Sequence, residues 1–190
     1  MSDLLKNLII LLLIATTCLS IYLGAYLPFT KSQRYIVAIR TLPSLKSVGE
    51  FEKNFDAVIN YYSPIGDEEV MKFLSNDISN IIAGQEQPEV VSRALVEYIE
   101  PHMFKNDVRH LLTLGRMYSV LWQKYDRKDA DYNRAEEYFL KAYAIGPKLP
   151  PVLYSLFDIY KLKGDNEKLK NIVSEILRYW PDDEVRELLR

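Results

Sequence analysis

One cysteine, Cys18, serves all 190 residues, so the chain cannot close an internal disulfide. Only seven glycines are available, which leaves little raw material for loops that cradle phosphate. The two histidines, His102 and His110, have no cysteine partner outside the apolar N-terminal run and no paired spacing, so no metal-ligand set is expected. Period-two alternation between turn clusters is absent, which excludes a β-rich fold and points to an all-α chain. A net charge of −2 carries no global nucleic-acid signature. Acidic pairs and triplets do occur, at Asp67-Glu68-Glu69, Glu136-Glu137 and Asp182-Asp183-Glu184. Each falls in the first turn of an expected helix, where the helix dipole accounts for it without catalysis. Lys124, Arg127 and Lys128 are mixed with Asp126, Asp129 and Asp131, which reads as the solvated tip of a hairpin. These absences leave no catalytic residue and no cofactor to expect, and they favour a binding protein over an enzyme.

Charge is missing locally as well. From Leu8 to Phe29 no residue is ionisable, and the run would extend roughly 33 Å as a helix at ~1.5 Å per residue, about one hydrocarbon core. It is therefore expected to span a membrane. A cleaved signal peptide would need an apolar core of only about 7–15 residues, and the run continues past the small-x-small site Cys18-Leu19-Ser20. Thr17 and Ala15 also depart from the residues that precede a lipid-modified cysteine. Lys31, Arg34, Arg40 and Lys46 follow the run before the first acidic residue, Glu50, whereas Lys6 is offset by Asp3 on the other side. The positive-inside tendency then puts the bulk of the chain in the cytoplasm, as a single-pass protein. Thr16, Ser20 and Gly24 repeat every four residues, so one face of the span is small enough for another membrane helix to approach.

After a basic connector, residues 31–46, three helices are expected across 47–104. The first runs from Val48 to Tyr62 with Phe51, Phe55, Val58 and Tyr62 on one side. A second starts at Asp67, turns Val70, Phe73, Leu74, Ile78 and Ile81 inward, and ends at Gly84. Pro88 opens the third, with Val91, Leu95 and Tyr98 inward, and Pro101 closes it.

Beyond them the pattern becomes periodic. Pro147 and Pro181 each close an amphipathic segment and stand 34 residues apart, the period of a helix-turn-helix repeat. Ala135, Phe139 and Ala142 sit at helical spacing, followed by Leu153, Leu156, Phe157 and Tyr160, the turn Gly164-Asp165, and Leu169, Val173 and Ile176 facing back. Upstream, Leu111, Leu114, Gly115 and Tyr118 begin another hairpin, with Gly115 able to accept a close helix crossing. In Leu114-Gly115 with Tyr118, Ala135 with Phe139, Ala142 and Pro147, then Leu156, Tyr160, Gly164-Asp165 and Pro181, the chain resembles the tetratricopeptide repeat family from about Asp107 to Asp183. It departs from that family at Phe157, where Gly is preferred, and at Leu169 and Ile176, where Ala is. Its first hairpin is also about eight residues longer than the 34-residue period, so either the loop bulges or the helices extend.

Behind the transmembrane helix (1–30) read from the uncharged run, the resemblance implies an α-solenoid, with degenerate repeats over 47–104 and two tetratricopeptide-like repeats over 105–190, closed by a helix from Glu184 to Arg190. It also implies a concave groove lined by first-helix positions, here Arg109, Leu112, Arg116, Tyr154, Asp158 and Lys161. The expected partner is a protein held in that groove, with the bilayer as the other contact and neither nucleic acid nor a small-molecule substrate. A second likeness covers most of the chain. A membrane helix, a weakly repetitive helical stretch, NDVRHLLTLGRMY and DYNRAEEYFLKAYAIGP in that order are similar to the tail after the last span of bacterial O-antigen ligase-like polysaccharide polymerases. The polymerase's multi-span catalytic body is not in this sequence, so this likeness implies an accessory part of a glycan-assembly enzyme.

Overall fold

The computed structural model describes residues 3–84 and 86–185, and these divide into two compact units, Met1–Phe73 and Leu74–Arg190. Among the described residues the secondary structure is helical, with no strand.

The first unit is built on one long helix. Helix α1 (Asp3–Ile21) passes through a single wide turn, Tyr22–Tyr26, into α2 (Leu27–Thr41). The wide turn has a local cause. Pro28 lacks the N–H that a regular helix would direct back one turn, and its ring crowds the carbonyl four residues earlier. The Leu27 N–H bonds to the Tyr22 carbonyl, five residues back, and this loosening lets the helix continue through the proline. No residue of the apolar stretch is buried before Leu27, and the helix is long and apolar enough to cross a membrane. The stretch expected to be a basic connector is helical as far as Thr41, so the chain leaves the apolar run as a continuous rod.

Helix α3 (Val48–Ile59) folds back on α2. Ser47 caps it by accepting the Glu50 N–H at 3.2 Å, and Phe51, Phe55 and Val58 are buried. It stops at Ile59, three residues short of the expected Tyr62, which is exposed. Asn54 ties the pair, its amide donating to the Ala38 carbonyl at 2.9 Å and its oxygen accepting from the Thr41 hydroxyl at 3.1 Å. Lys31 is buried, bonded to the Asp67 carboxylate and to the Tyr61 carbonyl at 2.9 Å.

Helix α4 (Asp67–Ala83) gives its first turns to this unit and the remainder to the second. The second unit continues with α5 (Glu89–Ile99), α6 (Val108–Lys124), α7 (Asp129–Ile145), α8 (Pro150–Lys163) and α9 (Asn166–Tyr179). Punctuation follows composition. Pro88 starts α5, Asp107 caps α6 by accepting the Arg109 N–H at 2.7 Å, and the Pro150-Pro151 pair opens α8. Gly164, at φ 79°, ends α8 in the left-handed conformation that glycine adopts without a Cβ penalty, and Asp165 caps α9. Helix α6 packs on α7 and α8, α8 on α7 and α9, and α5 on α6.

The extra length of the first hairpin is taken up by helix, since α6 and α7 each run 17 residues. The turn between them is short and carries two non-glycine residues at positive φ, Asp126 and Arg127.

Two inward faces differ from the sequence pattern. In α4 Phe73 is exposed and Ile82 is buried in the place expected for Ile81. In α5 the buried set is Ser92, Leu95, Val96 and Ile99, while Val91 and Tyr98 are only half-buried. The rotation in α5 brings Ser92 Oγ to 2.8 Å from the Tyr125 hydroxyl, which also donates to the Gln87 carbonyl at 2.6 Å. The helix expected over Glu184 to Arg190 lies outside the described residues beyond Val185.

Candidate functional site

Helices α6 and α8 place the expected groove positions at one-turn intervals along neighbouring rods. Arg109, Leu112 and Arg116 follow one another on α6, and Tyr154, Asp158 and Lys161 on α8. A depression of about 710 Å³ opens between these helices and is lined by Arg116, Tyr154, Asp158 and Lys161. Four of the six expected groove residues thus meet in one place. Leu112 instead is buried in the core, and Arg109 turns onto Asp107 at the start of α6, with a guanidinium nitrogen 3.0 Å from the carboxylate. Val120, Pro151 and Leu162 supply apolar wall to the depression. These three were missed because they lie between the repeat's groove positions, where helical spacing alone does not single them out.

The electrostatics of the depression are unusual for this chain. The Arg116, Asp158 and Lys161 side chains make no hydrogen bond or ion pair among the described residues. Loss of hydration pushes the Asp158 carboxyl above its ordinary pKa, and the nearby Lys161 and Arg116 charges offset this only in part. Tyr154 is different, because its hydroxyl donates to the Asp183 carboxylate. That bond, with dehydration, raises the phenol to about 12 and holds Asp183 below the usual carboxylate range. Tyr154 is therefore at once a wall of the depression and a pin between α8 and the segment after α9.

Two charged clusters elsewhere in the second unit are structural. Glu100, 14% exposed, accepts from the Tyr118 hydroxyl at 2.5 Å, from the Tyr138 hydroxyl, and from Arg134 at 2.6 Å. Burial works to raise its pKa, but the two phenols and Arg134 outweigh it, so the carboxyl is held low. Burial and the facing Glu100 push both tyrosines up. Asp131 was expected at a solvated tip and is instead buried. Arg93 on α5 forks onto its two oxygens at 2.7 and 2.6 Å, and Arg93 also donates to Glu89 at 2.7 Å. Sequence spacing could not reveal this, because the partners are 38 residues apart. His110 is likewise buried and accepts the Phe104 N–H at 3.1 Å through Nδ1, and His102 lies in the short turn after α5.

On the apolar helix, Thr16 and Ser20 return their hydroxyls to carbonyls four residues back at 2.8 Å, and a Cβ added at Gly24 would meet nothing within 4 Å. The small-residue face is therefore satisfied internally and open outward. Among the described residues no three His, Cys, Asp or Glu side chains are grouped so as to hold a metal ion. No family model matches the chain, and no curated protein or solved structure matches it either.

Proposed function

We propose that the chain is a membrane-anchored, tetratricopeptide-like scaffold that holds a protein partner in the depression between α6 and α8. The observation that carries the reading is the set of three charged side chains, Arg116, Asp158 and Lys161, that line one apolar-walled hollow and feel one another's charge without closing a hydrogen bond or ion pair. Glu100 and Asp131 close short bonds to cations inside the fold; Asp158, partly dehydrated and without such a bond, and its neighbours Arg116 and Lys161 are available to an incoming surface. The repeat reading is supported by α6, α7, α8 and α9 packing in sequence, by α6 also touching α8, and by the buried Ala135, Phe139 and Ala142 at the expected crossing. The anchor reading rests on the uncharged Leu8 to Phe29 run, exposed over most of its length, and the cytoplasmic placement on Lys31, Arg34, Arg40 and Lys46.

The test is capture of partners from native membranes by the full-length tagged chain, compared with Arg116→Ala, Tyr154→Ala and Tyr154→Phe. A hot-spot residue lost to alanine weakens binding by about 2 kcal/mol or more. Arg116→Ala is expected to reduce capture with unchanged thermal stability. Tyr154→Phe, which keeps the ring but drops the Asp183 bond, separates the wall from the pin. Full capture by both alanine variants, with folding intact, removes the groove from consideration. The identity of the captured protein distinguishes a general scaffold from an accessory to glycan assembly.

A further inference from the structure

Contacts within the first unit fix which of its edges faces the apolar run. Along α3, Asn54 bonds to Ala38 and Thr41, the Phe55 ring stands 6.3 Å from that of Tyr35, the Ala57 carbonyl accepts from Arg34 at 3.4 Å, and the Tyr61 carbonyl accepts from Lys31 at 2.9 Å. As the numbers rise on this side they fall on α2, so α3 runs back toward the apolar run. Helix α4 then leaves in the opposite sense. Its first residue, Asp67, pairs with Lys31, and Phe73 stands 6.3 Å from Tyr35, one turn further along α2. The connection at residues 60–66 is therefore where α3 and α4 come nearest to the apolar run.

If Leu8 to Phe29 fills the hydrocarbon core, the Lys31 backbone lies two residues past its edge, ~3 Å at ~1.5 Å per residue. Side chains on a helix lean toward its N-terminus, here toward the core, so the Tyr61 carbonyl and Asp67 held by Lys31 sit at about that level. Gly66 is there too, since a Cβ built on it would meet Lys31 Cδ at 3.9 Å. The headgroup layer on each side of a bilayer is about 5–8 Å thick, and the connection falls inside it. Leu27, within the uncharged run, is only 6% exposed, more burial than its own helix provides, so the fold reaches that level as well. The connection turns apolar groups outward: Ser63 is buried and donates its hydroxyl to the Ile65 carbonyl at 2.6 Å, while Tyr62 is 71% and Ile65 60% exposed. A tyrosine, with an apolar ring and a polar tip, suits the boundary between headgroups and core. Asp67, Glu68 and Glu69 follow at once, so acidic headgroups are not what would hold this edge.

We propose that the connection at residues 60–66 is a second membrane contact, with Tyr62 and Ile65 set into the headgroup layer beside the end of the span. The inference rests on the proposed anchor, and the test separates the two. Full-length chain carrying Cys18→Ser is given one cysteine at a time, Tyr62→Cys, Ile65→Cys, Val37→Cys or Leu13→Cys, labelled with a nitroxide and reconstituted in phosphatidylcholine vesicles. Power-saturation electron paramagnetic resonance then reads how often each label meets oxygen, which concentrates in the bilayer, and a water-soluble nickel chelate. Val37 is the aqueous reference, 59% exposed on α2 and ~12 Å beyond Phe29 at ~1.5 Å per residue; Leu13 is the reference for the core. All four positions are exposed, and the variants should keep the parent's far-UV circular dichroism. Expected at both 62 and 65 are nickel collisions several-fold below those at 37, with oxygen collisions between those at 37 and 13. Nickel collisions at 62 or 65 equal to those at 37, with 13 still shielded, overturn the contact and spare the anchor. Few collisions with either reagent at 62 and 65 mean that protein, such as a second copy of the chain, covers them, and this also overturns it. Free access of nickel to 13 overturns the anchor, and the second contact with it.

Discussion

Replacing Gly115 with alanine sets two measurable effects against each other. Gly115 is in the middle of α6 and buried, and a Cβ built there would run into the edge of the Phe139 ring on α7, with Cζ only 3.0 Å away. Phe139 is 2% exposed, is flanked on its own helix by the fully buried Ala135 and Ala142, and borders the depression between α6 and α8. Helix propensity alone favours alanine by about 1 kcal/mol. Overpacking a close-packed crossing costs about 1–3 kcal/mol. The net expectation is a loss of up to about 2 kcal/mol, clash outweighing propensity. The measurement is guanidinium unfolding of the full chain in detergent, followed by far-UV circular dichroism, with the midpoint falling and the slope unchanged. A second background makes the test specific. In Phe139→Leu, which removes the ring edge, Gly115→Ala should become neutral or stabilising, giving a positive coupling between the two sites. Stabilisation by Gly115→Ala in the parent, or an equal loss in both backgrounds, would refute the close crossing of α6 and α7.

Three further outcomes are expected. Glu100→Gln keeps the shape but not the charge facing Tyr118, Tyr138 and Arg134, and should lower stability at neutral pH by about 1.5–3 kcal/mol, as for hydrogen bonds to a charged group. Because the folded carboxyl is held below its ordinary 4.5, its contribution is complete above that pH and is lost as pH falls through the folded value. The parent should therefore lose stability more steeply than Glu100→Gln on acidification below 4.5, and parallel curves would contradict the assignment. Asp131→Ala leaves the Arg93 guanidinium half-buried without its fork, and should cost about 2–3 kcal/mol in thermal unfolding, below the 3–5 of a wholly buried pair. Leu13→Arg places a charge mid-run, should cost roughly 2.5–3.5 kcal/mol on insertion, and should move protein out of the carbonate-resistant membrane fraction.

Sequence reading reached furthest where structure is set locally. Pro88 begins a helix and Gly164 ends one for reasons contained within a few residues, and the α6 and α8 stripes, Leu111 with Leu114 and Leu153 with Leu156, are buried as their spacing requires. It failed where a distant partner decides. Asp131 looks like one more acid at a charged tip until Arg93 arrives from another helix. The α5 face is turned by the need to meet the Tyr125 hydroxyl with a small polar residue, which Ser92 supplies and Val91 cannot. Four of the six groove positions converge because they follow helical period on neighbouring rods. Arg109 is drawn away by a cap two residues earlier, a local competitor that periodicity ignores.

The wide turn at Tyr22–Tyr26 has a consequence for angular phase. An extra residue in one helical turn rotates everything after it by about 100° relative to an uninterrupted helix, while changing the length by only ~1.5 Å. The compass bearing of the Thr16, Ser20 and Gly24 face relative to the Lys31 and Ile36 face of the same rod is thus set at one place, five residues long. Removing a single residue there would leave the span long enough to cross a bilayer yet turn its small-residue face toward a different neighbour. Pro28 acts as the latch on that bearing, since a helix that must pass a proline without its N–H has a standing reason to keep the wider turn.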